Sequence, residues 1–297
     1  MPQIDFEKPV DALINWMRIN LEFAFDVIND LTGGLVDGLT ALLLLPPPMV
    51  VTLLFTAAAW WLRSWGFALF TLLSFALIDS MGFWDDTMST LALVLIAAAI
   101  AVIIGIPVGI LAARNRIVST IVRPILDFMQ TMPAFIYLLV AVIFFAIGVV
   151  PGVVASLIFA MPPAVRLTEL GIRQVDPEVV EAAEAFGSRP GQVLWQVQLP
   201  LAMPTIMAGI NQVIMLSLSM VVIAGLGGAG GLGALVVRAV TRLEIGLGFE
   251  SGLAVVLLAV FLDRVTSGAR EKMGARSTER QLGLRRVFSR TRAVGAA

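Results

Sequence analysis

Residues 88–113 read MSTLALVLIAAAIAVIIGIPVGILAA, twenty-six consecutive positions from Met88 to Ala113 without one charged side chain. An α-helix rises about 1.5 Å per residue, so roughly 20 apolar residues cross the ~30 Å hydrocarbon layer of a bilayer. The run is long enough to do so. Outward from it, further apolar runs extend from about Pro46 to Leu62, Trp65 to Phe83, Pro133 to Val149, Gly152 to Leu170, Leu201 to Leu226 and Leu247 to Arg264. Seven helical spans are therefore expected, since a barrel would show short alternating strands instead. Of the 297 residues 59% are hydrophobic and 14% charged, with a mean hydropathy of +0.94, which is too apolar for a soluble domain of this length. The chain reads as an all-α polytopic membrane protein.

The sequence contains neither cysteine nor histidine. That excludes disulfides, thiolate and imidazole metal sites, histidine pH switches and Ser-His or Cys-His catalysis. No catalytic residue and no metal ligand is expected. A nucleotide-binding P-loop needs a Gly-rich turn followed by Lys and Ser or Thr, and the two lysines, Lys8 and Lys272, sit in no such loop. An N-terminal basic stretch followed by an apolar one is absent, so no cleavable signal peptide is expected.

Charge is distributed unevenly. Residues 1–40 carry seven acids and two bases, whereas from Asp263 onward there are nine bases and three acids. Cytoplasmic loops retain Lys and Arg. With the tail inside, seven spans put Arg63, Arg114, Arg116, Arg123, Arg166, Arg173, Arg189 and the nine tail bases on the cytoplasmic side, sixteen against four outside. The expected orientation is thus N-terminus out and C-terminus in. Trp60, Trp61, Trp65 and Trp84 fall near span ends, where aromatic residues anchor helices at the interface.

From Val10 to Ile28, apolar residues alternate with Asp11, Asn15, Arg18, Glu22, Asp26 and Asn29 at helical spacing. Such a helix lies in the membrane interface or packs on the rest of the domain. Pro46, Pro47 and Pro48 suit the first turn of a span, and Arg63 with Ser64 makes a short turn after it. Residues 117–131 read as an oblique lead-in to the fourth span, because Arg123, Asp127 and Gln130 are expensive against lipid.

Between the fifth and sixth spans lies a polar insert. Asp176-Pro177-Glu178 is a helix start, with a capping oxygen, a proline where no donor is needed and an acid at the positive end of the dipole. Gly187 is a natural stop. Ala182, Ala183 and Ala185 let another surface approach closely, while Glu178, Glu181 and Glu184 supply charge. Ser188 is expected to cap a second short helix through Val197, and Leu199-Pro200 to open the sixth span.

Glu181-Ala182-Ala183, Gly187 and Val197-Gln198-Leu199-Pro200 have the spacing of the cytoplasmic coupling motif of binding-protein-dependent ABC importer permeases, with Val197 where Ile is usual. Gln130-Thr131-Met132-Pro133-Ala134-Phe135, Phe159-Ala160-Met161-Pro162-Pro163 with Arg166-Leu167-Thr168, and Gln198 through Ala224 resemble the glycine betaine/proline (quaternary ammonium) uptake permeases. The resemblance covers residues 85–265 and implies a type I ABC importer permease fold, a five-helix core with the coupling loop at 171–200. Two additional spans at 41–84 and an interfacial segment at 1–40 precede it, and a basic cytoplasmic tail at 266–297 comes after it. The implied role is osmoprotectant uptake of glycine betaine, proline, choline or carnitine across a bacterial cytoplasmic membrane. Implied partners are a second permease copy, two ATPase subunits carrying ATP and Mg, and an extracytoplasmic substrate-binding protein, with no nucleic acid. Glu181, Ala182, Ala183, Glu184, Gly187, Leu199 and Pro200 are the expected ATPase-coupling residues.

The six glycines between Gly225 and Gly233 suggest a re-entrant or docking loop, with a plain connector as the alternative. Asn211, Gln212, Ser217 and Ser219 are polar within a span, where such groups serve as packing contacts or line a passage. Tyr137 and Phe135 offer aromatic faces for a quaternary cation. Met215 and Met220 fill the core or supply adaptable surface. Arg166 and Glu169 are close enough along one helix to pair. An ion-coupled transporter would carry acids in mid-span, whereas Asp79, Asp127, Glu250 and Asp263 fall toward span ends or in the lead-in helix.

Overall fold

The computed structural model describes residues 7–294, with side chains described as far as Glu271. The side chains of the basic tail beyond that residue, and the first six residues of the N-terminal segment, lie outside the described part of the chain. All regular structure among the described residues is helical. The helices are α1 (Glu7–Asn20), α2 (Glu22–Leu44), α3 (Pro48–Leu62), α4 (Trp65–Ser80), α5 (Trp84–Arg114), α6 (Arg116–Thr131), α7 (Ala134–Phe145), α8 (Val149–Arg173), α9 (Pro177–Ala185), α10 (Pro190–Gln192), a π-helical stretch (Val193–Gln198), α11 (Leu199–Ser219), α12 (Val221–Leu226), α13 (Gly231–Arg242) and α14 (Ile245–Val294).

Among the described residues, five helical stretches are long and apolar enough to cross a membrane: α2, α5, α8, the continuous run Pro190–Leu226, and Ile245–Glu271 within α14. A sixth forms when α6 and α7 are taken as one span bent by 97° at their junction. The lead-in expected at 117–131 is thus a full helix. Pro133, which has no N–H to donate, stands at the bend, and the backbone turns extended at Met132. Helices α3 and α4 follow the expected runs, but with 15 and 16 residues they are shorter than a straight span. Ser64 caps α4 by accepting the Phe67 N–H at 3.4 Å.

The N-terminal segment differs from the single helix read over Val10–Ile28. It breaks at Leu21, where the Asn20 side chain donates to the Trp16 carbonyl at 2.8 Å, and α2 then continues to Leu44. Length and composition qualify α2 as a span, and it packs chiefly on α5, with further contacts to α7 and α8. Phe25 stacks on Phe144 at 4.6 Å and meets Phe145 edge-on at 5.6 Å, while Gly33 faces Val150.

The centre of the molecule is the α5–α8 seam. A Cβ added at Gly105 would lie 2.7 Å from the Ala164 Cβ, and one at Gly109 would lie 2.6 Å from both the Thr168 Cβ and the Val165 carbonyl oxygen. Two more glycines let α11 close on α8, Gly171 against Thr205 and Ala202, and Gly209 against Leu167 and Pro163. Lipid tails are as apolar as leucine, so helices in a bilayer gain by close packing of small residues, and this core is built that way. A second layer of rings, Phe55, Phe75 and Phe261 at centroid distances of 5.0–5.2 Å, ties α3 and α4 to α14. Trp84 belongs to this layer: it is 6% exposed and edge-on to Phe75, which makes it a core residue and corrects its reading as an interface anchor. Trp60, Trp61 and Trp65 are exposed.

The Gly225–Gly233 segment is compact. Gly233 approaches the Val221 carbonyl so closely that a Cβ would sit 2.1 Å from it, and Gly225 faces the backbone of Gly233 in the same manner. The corner is pinned at both sides, by Leu232 N–H donating to Thr90 Oγ1 at 2.9 Å and Gly148 N–H donating to the Gly227 carbonyl at 3.0 Å. The glycines are there to let two helices touch backbone to backbone.

Candidate coupling and passage site

The polar insert starts as its residues dictate. Asp176 Oδ1 accepts the Glu178 N–H at 3.0 Å and Pro177 occupies the first turn. At the other end Gly187 takes a φ of +82°, and the N–H groups of Gly187 and Ser188 donate to the carbonyls of Glu184 and Ala183 at 2.8 and 3.1 Å. This paired return closes the helix and satisfies its last acceptors.

The second half of the insert corrects the expectation. Ser188 is not the cap; Arg189 holds that position, its N–H donating to the Gln192 side chain at 2.9 Å. The helix does not end at Val197 either. It widens to π geometry over Val193–Gln198, with the Leu199 N–H reaching back to the Leu194 carbonyl, and runs on into α11. Pro200 and Pro204 supply no N–H to the preceding turn, and a π turn is a common response to such a gap in the ladder. Leu199-Pro200 therefore lies inside a continuous helix.

Of the sequence-predicted coupling residues, Glu181, Ala182, Glu184 and Gly187 are exposed, Ala183 and Pro200 are half-buried, and Leu199 is buried. No residue of α9 is buried. Leu194 and Leu199 instead pack with Ile172, Ala202 and Ile206, so the insert is fastened through its second half. Sequence reasoning passed over Phe186 and Trp195, which are 80% and 68% exposed beside the helix. The available signal was two large apolar side chains inside the most polar segment.

Where α8 meets the insert, charges converge. Glu169 Oε1 accepts from Ser119 Oγ at 2.7 Å and from Arg123 at 2.9 Å, and lies 3.0 Å from Arg173 Nε. Arg173 also donates to the Ala112 carbonyl at 2.9 Å, near the end of α5. Arg166 does not pair with Glu169; it bridges to Asp127 of α6. An i,i+3 pair on one helix was outcompeted by partners on the neighbouring helix.

The predicted passage residues are scattered. Gln212 and Ser219 are exposed and lie seven positions apart on α11, hence on one face. Ser217 is 0% exposed and its hydroxyl has no hydrogen-bond partner, while Ser219 Oγ donates to the Met215 carbonyl at 2.9 Å. Asn211 donates to Asp263 of α14 at 3.3 Å and accepts from Thr266. Tyr137 is buried and donates to the Met129 carbonyl at 2.9 Å, holding the α6–α7 bend, while Phe135 is exposed. Met220 is buried beside Tyr137. Among the described residues no group of carboxylates could hold a metal.

Residues 105–271 match the family described as binding-protein-dependent transport system inner membrane component. The chain is 51% identical over 276 residues to the glycine betaine transport system permease protein OpuAB of Bacillus subtilis (strain 168), covering 93% of this chain and 98% of that one. It is 50% identical over 276 residues to the glycine betaine/carnitine transport permease protein GbuB of Listeria monocytogenes, covering 92% and 98%. Among solved structures, the inward-facing MetNI methionine ABC transporter matches at 23% identity and a TM-score of 0.57, over 66% of this chain and 95% of that one. That likeness concerns the fold: a five-helix core made here by α5, the α6–α7 pair, α8, the run Pro190–Leu226 and α14, preceded by the α3–α4 hairpin. With that core, and with the family match spanning more than half its length, the chain belongs to the binding-protein-dependent transport system inner membrane components, and it is a type I ABC importer permease subunit rather than an enzyme.

Proposed function

We infer that this chain forms the transmembrane passage of an ATP-driven importer of glycine betaine or a related quaternary ammonium solute such as proline betaine, carnitine or choline. Relatives named for glycine betaine at 51% and 50% identity over nearly their whole length support the solute class. The observation that carries the coupling half of this reading is α9, a helix with no buried residue that is joined within a few residues to α8 and, through the turn at Gly187, to the continuous helix that becomes α11. Glu181, Ala182, Ala183, Glu184 and Gly187 are its contact for a separate ATPase chain, which binds the ATP and Mg, and exposed Phe186 and Trp195 extend that contact. Leu199 and Pro200 pass the movement to α11.

The working assembly is two copies of this chain, two ATPase subunits and an extracytoplasmic binding protein. The passage runs between the two copies along the α11 face that carries Gln212 and Ser219, with Asn211, Ser217 and Tyr137 behind it. A polar side chain such as Gln212 exposed in mid-span favours a wet or protein-covered neighbour over lipid. The orientation is N-terminus out and C-terminus in. Its support is that the α3–α4 turn at Arg63 adjoins Gly268 near the basic end of α14, at the same end as the arginines around Glu169 by the charge count.

The test is reconstitution with the cognate ATPase and binding protein in proteoliposomes. ATP-dependent accumulation of labelled glycine betaine is expected, abolished by Gly187→Asp or Ala183→Arg. Uptake by this chain alone under an ion gradient would overturn the reading.

A further inference from the structure

We propose that Glu169 is a positioning residue for transport, the node through which movement of α9 reaches α5 and α6. This rests on the proposed function, in which an ATPase moves α9. Glu169 sits on α8 and is 5% exposed, and its carboxylate is shared by three side chains: Ser119 and Arg123 of α6, and Arg173 of α8. Arg173 in turn holds the Ala112 carbonyl of α5. One buried anion thus joins the inner ends of three helices.

Its place in the chain gives this arrangement a direction. Arg173 is the last residue of α8, and only Gln174 and Val175 separate it from Asp176, the cap of α9. Val175 is buried, so this link carries little slack. A displacement of α9 is delivered to Arg173 first, and from there to α5 by the Ala112 bond and to α6 by way of Glu169.

Helix α6 depends on that link. Its buried residues are Ser119 and Leu126, whereas Ile117, Ile121, Ile125 and Phe128 are exposed on its outer side. The residues it turns toward α8 are Ser119, Arg123 and Asp127, spaced four apart on one face; Glu169 meets the first two and Arg166 the third. Leu126 is the one buried apolar side chain of α6, and the bonds seen between α6 and α8 are charge-assisted. In a medium of low dielectric such bonds are strong, and leaving one charge behind is costly, which makes the group move as a unit. Without the carboxylate, α8 would shift and α6, with its apolar side in lipid, would lag.

The experiment uses the complete importer in proteoliposomes, reading ATP hydrolysis, solute taken up per ATP, and the melting temperature of the complex. Glu169→Gln keeps the side-chain size and an acceptor for Ser119 but removes the charge. Hydrolysis within about twofold of the unaltered importer and uptake per ATP reduced at least tenfold are expected, with only a small fall in melting temperature, because the Arg123 and Arg173 side chains left behind are partly exposed to solvent. Arg123→Gln, which alters an exposed side chain and should assemble even if the first variant does not, is expected to lower uptake per ATP about threefold. Unchanged uptake per ATP in either assembled variant overturns the proposal.

The chain has no native cysteine, so an Asp127→Cys, Arg166→Cys pair bridged by a short bifunctional thiol reagent offers a bypass between α6 and α8. Bridging is expected to leave uptake intact in the otherwise unaltered protein and to restore uptake per ATP in Glu169→Gln. Loss of uptake on bridging the otherwise unaltered protein would mean that the two helices separate during transport, and overturns the proposal. If the unaltered importer itself shows no ATP-driven uptake, the reading it rests on falls, and the proposal with it.

Discussion

Helix α8 is held on two sides by opposite kinds of contact. Against α5 it is dry and so close that Gly105 and Gly109 leave no room for a methyl group. Against α6 it is joined by Ser119 and Arg123 meeting Glu169, and by Asp127 meeting Arg166. Close packing is short-ranged and stiff and forfeits much of its attraction when a gap of an ångström opens. Charge contacts are longer-ranged, directional, and sensitive to the loss of a single partner. On the proposal above, the first kind keeps α5 and α8 together and the second links α8 to α6.

The dry seam is the one to break first. Gly109→Leu drives a side chain into the Val165 carbonyl, and a loss of about 3 kcal/mol or more is expected, at the upper end of the overpacking range. The measurement is the yield and melting temperature of the purified chain in detergent. Wild-type stability would mean that α5 and α8 are not in backbone contact.

Gly187 separates space from conformation as the reason for a glycine. Nothing lies within 4 Å of a Cβ built there, but its φ is +82°. Gly187→Ala is therefore expected to cost about 1 kcal/mol, read as fraying of α9 in amide exchange, with the membrane core unaffected.

On the charged side, Asp127→Asn removes one partner of a pair whose two side chains are 67% and 40% exposed, so less than about 1 kcal/mol is expected and it should shrink further in high salt. A shift as large as that of Gly109→Leu would erase the contrast between the two seams. The smallest effect is expected at Thr168, which lies buried in the dry seam with an unbonded hydroxyl. Thr168→Val replaces that hydroxyl with a methyl and should leave the melting temperature unchanged or slightly raised. A clear drop would reveal a hidden polar partner.

Legibility in the sequence tracks the range of the forces involved. The spans and the caps of α9 depend on residues within a few positions of one another, and Asp176, Pro177 and Gly187 act where their types predicted. Glu169 was legible only as a neighbour of Arg166, because its partners Ser119 and Arg123 stand 50 and 46 positions away and α8 must already be packed before they meet. Trp84 looked like an interface residue for the same reason: the Phe75 ring that covers it comes from another helix. Composition alone leaves the glycine-rich corner as a re-entrant or docking loop or a plain connector, and the close approach made by Gly225, Gly231 and Gly233 becomes visible only once Val221 and Thr90 are beside them. The break at Leu21 had no marker, since neither glycine nor proline stands there.

The widened turn at Val193–Gln198 sets the phase between two helices that otherwise share one axis. A π turn holds one residue more than the α-helical path needs. Deleting a single residue from that stretch would rewind it and swing everything on its N-terminal side by about 100° around the axis, with an advance of about 1.5 Å. α9 is tied to α8 at its other end through Gln174 and Val175, so the swing would pull against that short link. The residue count of that stretch therefore fixes how the start of the helix at Pro190 is turned relative to α11, and with it the strain carried by the turn that leads back to α9.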